Sequence, residues 1–186
     1  MRIISGQWRG RKLPVPDLPG LRPSGDRVRE TLFNWLQGRV AGRRCLDLFA
    51  GTGALGLEAA SRSAASVTLV ERQPALCESL RRIYQQWPGG DRLQVMQHDA
   101  MAYLEGQPPH PMDLVFIDPP FDQPSYARCL QRLVEGQWLA DNACLYLEHP
   151  ASMDPAPEWS DAGFERVREK TIGEVGLMLL GWRGSH

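Results

Sequence analysis

From Cys45 to Glu148 the chain alternates short apolar runs with longer stretches of helical period, and that alternation leaves few folds open. Strands are expected at Cys45–Phe49, Val67–Glu71, Leu93–Gln97, Leu114–Ile117 and Ala143–Glu148. Between them lie helices at Leu55–Arg62, at Ala75–Trp87 (Leu76, Leu80, Ile83 and Trp87 on one face), at Ala100–Leu104 and near Ser125–Trp138. Near-continuous apolar strands separated by helices form a parallel sheet covered on both faces. The pattern ends differently. Phe164–Lys170 alternates in strand fashion, Gly173 offers a turn, and Gly176–Trp182 is apolar, with no room for a helix between them. A hairpin therefore closes the chain, and its last strand enters antiparallel. The expected fold class is α/β: a Rossmann-like, mostly parallel sheet with an antiparallel C-terminal hairpin, plus a basic N-terminal extension.

The carboxyl ends of these strands carry the chemistry. Strand one runs into Asp47-Leu48-Phe49-Ala50-Gly51-Thr52-Gly53-Ala54-Leu55-Gly56, where Gly51, Gly53 and Gly56 satisfy G-x-G-x-x-G. Such a turn brings the backbone close to a ligand beneath a helix N-terminus, although small residues also serve plain strand–helix packing. Strand two ends in Glu71, able to accept both hydroxyls of a ribose, and strand three in Asp99, placed to meet an adenine amine. Acids ending two adjacent strands beside a glycine turn make a nucleoside site. Asp47 lies just ahead of the turn, where a carboxylate repels a pyrophosphate and attracts an ammonium group. That favours S-adenosylmethionine over a dinucleotide. Strand four delivers Asp118-Pro119-Pro120-Phe121 to the same edge. Two prolines forbid helix and further ladder bonding. A carboxylate, a fixed carbonyl and a ring then make a holder for a flat amine.

Charge is unevenly spread along the 186 residues. Through residue 44 there are ten Lys/Arg against three Asp/Glu; the remainder has eleven against nineteen. Arg2, Arg9, Arg11, Lys12 and Arg22, with Trp8 among them and many Gly and Pro residues, read as an arm that grips phosphate and stacks a base. Asp26 is expected to cap a helix with Val28, Leu32, Trp35 and Leu36 on its apolar face and Arg27, Arg29, Glu30 and Thr31 on the other. The boundary falls at an N-terminal part, 1–44, and a catalytic part, 45–186. Four cysteines without a C-x-x-C pair read as small core residues, and four scattered histidines lack metal-ligand spacing. No apolar run approaches the roughly 20 residues that span a bilayer, and the N-terminus lacks a signal-peptide core. The expectations are a cytoplasmic monomer with neither metal nor membrane partner.

Several blocks together carry a closer resemblance: Ile3-Ile4-Ser5-Gly6-Gln7-Trp8-Arg9-Gly10-Arg11, Arg22-Pro23 with Asp26-Arg27-Val28-Arg29-Glu30-Thr31-Leu32-Phe33-Asn34, Asp47 through Gly53, and Asp118 through Phe121. The chain resembles the RsmD family of class I S-adenosylmethionine-dependent methyltransferases, which methylate the exocyclic amine of one guanine in bacterial 16S ribosomal RNA. The resemblance implies a seven-stranded sheet, the small ribosomal subunit as partner, and catalytic positions Asp118, Pro119 and Phe121. It also implies cofactor contacts from Asp47, Phe49, Ala50, Gly51, Gly53, Glu71, Arg72, Asp99 and Ala100, and RNA contacts from Trp8, Arg9, Arg11, Arg22 and Arg27. Ser24-Gly25 stands where the family shows two hydroxyl residues. Two other readings remain open at this point. A DNA amino-methyltransferase uses the same D-P-P-aromatic chemistry, and a ribosome-assembly factor can keep a methyltransferase fold for binding alone.

Overall fold

The computed structural model describes residues 1–13, 25–120, 126–153 and 163–184. A seven-stranded sheet in the order β3-β2-β1-β4-β5-β7-β6 organises the molecule. Its strands are β1 (Arg44–Asp47), β2 (Ser66–Glu71), β3 (Leu93–Gln97), β4 (Met112–Ile117), β5 (Leu139–Pro150), β6 (Phe164–Ile172) and β7 (Val175–Trp182). The first five are parallel, and β7 inserts antiparallel between β5 and β6. The hairpin turn falls at Gly173, whose φ of +61° is cheap only for glycine.

Among the described residues, five α-helices cover the faces: α1 (Asp26–Trp35), α2 (Ala54–Ser61), α3 (Pro74–Gln86), α4 (Ala100–Leu104) and α5 (Tyr126–Glu135). One core lies between the sheet and α1, α2 and α3, centred on Leu32, Phe33, Leu57, Leu69, Leu80 and Phe116. The other lies beneath α4 and α5, around Val70, Val115, Ile117, Leu130, Leu133 and Leu147. The expected elements are present, with local differences: β1 ends at Asp47 rather than Phe49, and β5 runs from Leu139 to Pro150 rather than from Ala143 to Glu148. Helix α5 stops at Glu135 rather than near Trp138, because Gln137 turns at φ +55° and Trp138 buries as the lead into β5. Asp26 does not cap α1: Gly25 holds the cap position without a side-chain bond, and Asp26 instead accepts from Arg29 at 2.6 Å. Arg29, expected on the polar face, is fully buried, reaching the Arg2 carbonyl at 2.9 Å and lying 3.8 Å from Glu58.

Residues 1–13, read as part of an arm, pack onto the body of the protein. Arg2 and Lys12 pair as an antiparallel bridge, and Ile3, Trp8 and Leu13 are buried in the same core as Val28, Leu32 and the sheet. No separate core marks a division at residue 44 among the described residues. Glu58 of α2 pins the segment: its carboxylate accepts from the amides of Ile4 at 2.7 Å and Ser5 at 3.0 Å, and from Arg62 at 2.8 Å. Ser61 finishes the docking, accepting from the Trp8 and Gln7 amides and donating to the Ser5 carbonyl. Gly6 allows this approach, since a Cβ there would lie 1.9 Å from the Ser61 carbonyl oxygen.

Candidate active site

Parallel register sets which side chains share a face. Asp47 aligns with Leu69 of β2 and Phe116 of β4, and Phe116 aligns with Tyr146 of β5. Side chains two residues apart on a strand point the same way. Glu71, Asp118 and Glu148 therefore form a row one step above Asp47, at the carboxyl edge on the α1 side of the sheet. Four carboxylates come together from strands whose central residues are apolar.

Asp47 is almost fully buried, with Oδ2 accepting from the Gly56 amide at 2.9 Å. Burial raises its pKa to about 7, and the nearby charge of Glu71 adds to the rise, while the Gly56 and Phe49 amides oppose it. Glu71 has both oxygens engaged by backbone: Oε2 accepts from Gly51 at 2.9 Å and Oε1 from Gln73 at 2.7 Å. These bonds fix the carboxylate against the glycine turn, and lone pairs remain on each oxygen. Asp99 uses Oδ1 to cap α4, accepting from Met101 at 2.9 Å and Ala102 at 3.2 Å. It is exposed, and its Oδ2 makes no hydrogen bond among the described residues. Ala100 is buried at the start of α4, Phe49 half-buried, Ala50 buried, and Arg72 exposed just past Glu71.

The glycines divide between two purposes. A Cβ at Gly53 would meet Leu80 Cδ2 at 2.5 Å, and one at Gly56 would meet Leu69 Cδ2 at 2.3 Å. Both serve close packing of α2 against its neighbours. Gly51, with φ +53°, donates to Glu71 and sits at the open edge, so it is the glycine that shapes the ligand side.

Asp118 is half-buried and Pro119 buried where β4 ends, while Phe121 lies outside the described residues. The Asp118 charge reaches both neighbouring phenols. Burial first, then the charges of Asp118 and Glu148, push the Tyr126 and Tyr146 hydroxyls above their ordinary range. Those hydroxyls frame Glu148: Tyr126 donates to its carbonyl at 2.7 Å, and Tyr146 donates to its Oε2 at 3.1 Å. Sequence reasoning gave Glu148 no role. The available signal was the one used for Glu71 and Asp99, an acid closing an apolar strand.

The expected RNA contacts do not gather here. Trp8 is a core residue, edge-on to Trp87 with centroids 5.2 Å apart and donating its indole N–H to the Pro88 carbonyl at 2.8 Å. A ring so enclosed cannot stack a base, which corrects that expectation. Its partners follow the end of α3, and Ser61 ends α2, so the tip of the segment lies at the amino edge of the sheet. Helix α3 has 13 residues, which places that tip about 20 Å from the helix start beside Glu71. Arg9 and Arg11 are exposed there, with Arg11 over the Trp87 ring at 5.0 Å. Arg27 differs. It is exposed in the first turn of α1, whose Phe33 packs on Phe116, two residues before Asp118. Arg22 and Ser24 lie outside the described residues.

Comparison with known proteins agrees with this architecture. The family model described as Conserved hypothetical protein 95 matches residues 1–181. Ribosomal RNA small subunit methyltransferase D of Escherichia coli (strain K12) is 45% identical over 179 residues, covering 96% of this chain and 88% of that protein. The protein of the same name from Haemophilus influenzae is 40% identical over 183 residues, covering 96% and 92%. The solved structure of the yhhF protein of Escherichia coli superposes with a TM-score of 0.84 at 43% identity, covering 100% of this chain and 99% of that one.

Proposed function

Because this chain belongs to the RsmD family of methyltransferases, we propose that it transfers a methyl group from S-adenosylmethionine to the exocyclic N2 amine of a guanine in the 16S RNA of the small ribosomal subunit. The observation that carries the reading is the common row: Asp118-Pro119 at the end of β4, beside Asp47 and Glu71 at the ends of β1 and β2. The relatives named for small-subunit RNA support the substrate class.

The residues fit that cofactor. A buried carboxylate at Asp47, an amide-anchored carboxylate at Glu71 and a free oxygen on Asp99 suit an ammonium, a ribose diol and an adenine amine in turn. When bound, the cofactor supplies an electrophilic methyl group. The chain's own part is to hold the acceptor. Guanine N2 is a weak nucleophile because its lone pair is delocalised into the ring. Asp118 Oδ and the Pro119 carbonyl accept its two N–H bonds, drawing the nitrogen toward tetrahedral geometry and aiming the lone pair. Phe121 stacks on the base. Alignment supplies much of the acceleration, and the fixed acceptors stabilise positive charge developing on nitrogen. Asp118 then takes the N2 proton. The base must be unpaired or pulled from its stack to enter.

The test offers methyl-labelled S-adenosylmethionine to small subunits, deproteinised 16S RNA and duplex DNA, then maps the modified base. Label on N2 of a guanine in 16S RNA is expected. Label on adenine or in duplex DNA overturns the substrate; no label from a protein that binds S-adenosylhomocysteine favours an assembly factor.

Asp47 adds a pH prediction. Its carboxyl rises from 3.8 to about 7 on folding, so the folded state holds the proton longer than the unfolded state. Asp47's own contribution to apo-protein stability therefore falls as pH rises from about 4 to 7, then levels off. A cofactor ammonium reverses that preference, so S-adenosylhomocysteine affinity rises from pH 5.5 to 7.5 and Asp47→Asn flattens the rise. Isothermal titration across that range checks it; a flat wild-type profile excludes the pairing.

A further inference from the structure

The outer strand β6 is exposed on both faces from Glu165 to Thr171, and its charges are sorted between them. Residues directly paired across antiparallel strands share a face. Arg166 pairs with Leu180 and Glu169 with Met178, so both lie on the α5 side, where they neutralise each other at 2.7 Å. Arg168 pairs with Leu179 and Lys170 with Leu177, which places both on the α1 side, the face of Asp118. Neither cation has an acidic partner among the described residues. The one acid β6 puts on this face, Glu165, sits at the amino end of the strand and is taken by Arg183 at 2.8 Å.

A backbone irregularity makes the sorting. Plain alternation from Phe164 would put Arg166, Arg168 and Lys170 on one face. The register shifts between Arg166 and Arg168, and the extra residue Val167 turns the last two cations to the other side. Lys170 then joins the row of the site: it pairs with Leu177, and Leu177 pairs with Glu148. Three strand spacings separate it from Asp118, about 14 Å. Charges on an edge strand serve to prevent sheet-to-sheet pairing, and for that either sign on either face suffices. Two unpaired cations on one face, beside the site, meet a further need, since Arg9 and Arg11 lie at the opposite end of the helices.

We propose that Arg168 and Lys170 form a phosphate rail on which the substrate RNA lies as it enters the site. This rests on the RNA reading above. The rail contacts backbone and carries no base information, so it sets affinity and register rather than the choice of guanine.

The test compares Arg168→Gln/Lys170→Gln with the opposite-face control Arg166→Gln/Glu169→Gln. Each is measured for binding to deproteinised 16S RNA and to small subunits as salt is varied, and for S-adenosylhomocysteine affinity and melting temperature. The rail variant is expected to bind both RNA forms about tenfold more weakly, with a salt dependence shallower by about 1.4 to 1.8 in logarithmic slope. Its cofactor affinity and melting temperature stay at wild type, and the control variant binds normally. Unchanged RNA affinity and slope in the rail variant overturn the inference. Weakened binding to small subunits alone overturns it too, because the partner is then a ribosomal protein. RNA binding is read without turnover, so a wild-type protein that binds RNA through these residues but transfers no methyl group sinks the proposed function and leaves the rail standing.

Discussion

Asp118→Ala is expected to lower the single-turnover rate on small subunits by about 10³-fold, with S-adenosylhomocysteine affinity and melting temperature near wild type. The size follows from removing a fixed acceptor aimed at the charge that develops on nitrogen. Asp118→Asn keeps an acceptor oxygen but loses the negative charge and the proton-accepting capacity, so it should fall between, at about 10²-fold. The pair separates the two roles. If Asn matches Ala, charge and proton uptake dominate; if Asn matches wild type, geometry alone carries the effect. Near-normal transfer by a folded Asp118→Ala protein removes Asp118 from the chemistry.

The largest stability effect is expected at Glu58, far from any reacting atom. Its side chain is fully buried and serves the amides of Ile4 and Ser5, the Arg62 guanidinium and, at 3.8 Å, buried Arg29. Glu58→Ala strands two partly buried donors and leaves fully buried Arg29 short of compensating charge, at a cost of about 3–5 kcal/mol. For a chain of this length that lowers the melting temperature by about 10 °C. The amides of Ile4 and Ser5 should also lose hydrogen-exchange protection ahead of the sheet. Replacing both partners, Arg29→Met with Glu58→Leu, should recover part of the loss, since breaking a buried pair costs more than replacing it. A melting temperature within 2 °C of wild type for Glu58→Ala would show that the N-terminal segment is held by Ile3, Trp8 and Leu13 alone.

The parallel sheet, the C-terminal hairpin and the acids at the strand ends were legible because each rests on local pattern. Apolar runs of strand length, helices of period 3.6 and turn glycines declare themselves within a dozen residues. Asp47, Glu71, Asp99 and Asp118 could be placed because a parallel sheet sends every strand's carboxyl end to one edge. Glu148 was equally placeable and went unread.

The packing of residues 1–13 was not legible for an equally physical reason. Arg, Gly and Pro in alternation with Trp8 have the composition of a solvated arm, and composition does not reveal that Glu58 and Ser61, more than fifty residues away, supply partners for its amides. Arg29 likewise follows a polar pattern, and only the packed fold brings Glu58, Asp26 and the Arg2 carbonyl around it. The row on the sheet face depends on register, which hydrogen-bond pairing sets between strands far apart in the chain. The sequence by itself therefore determined which elements form and which edge bears the chemistry. Tertiary structure decided which charges are buried, that Trp8 faces the core rather than a base, and that one extra residue at Val167 turns Arg168 and Lys170 toward the site. Burial and register are properties of the whole packed chain, and no local window contains them.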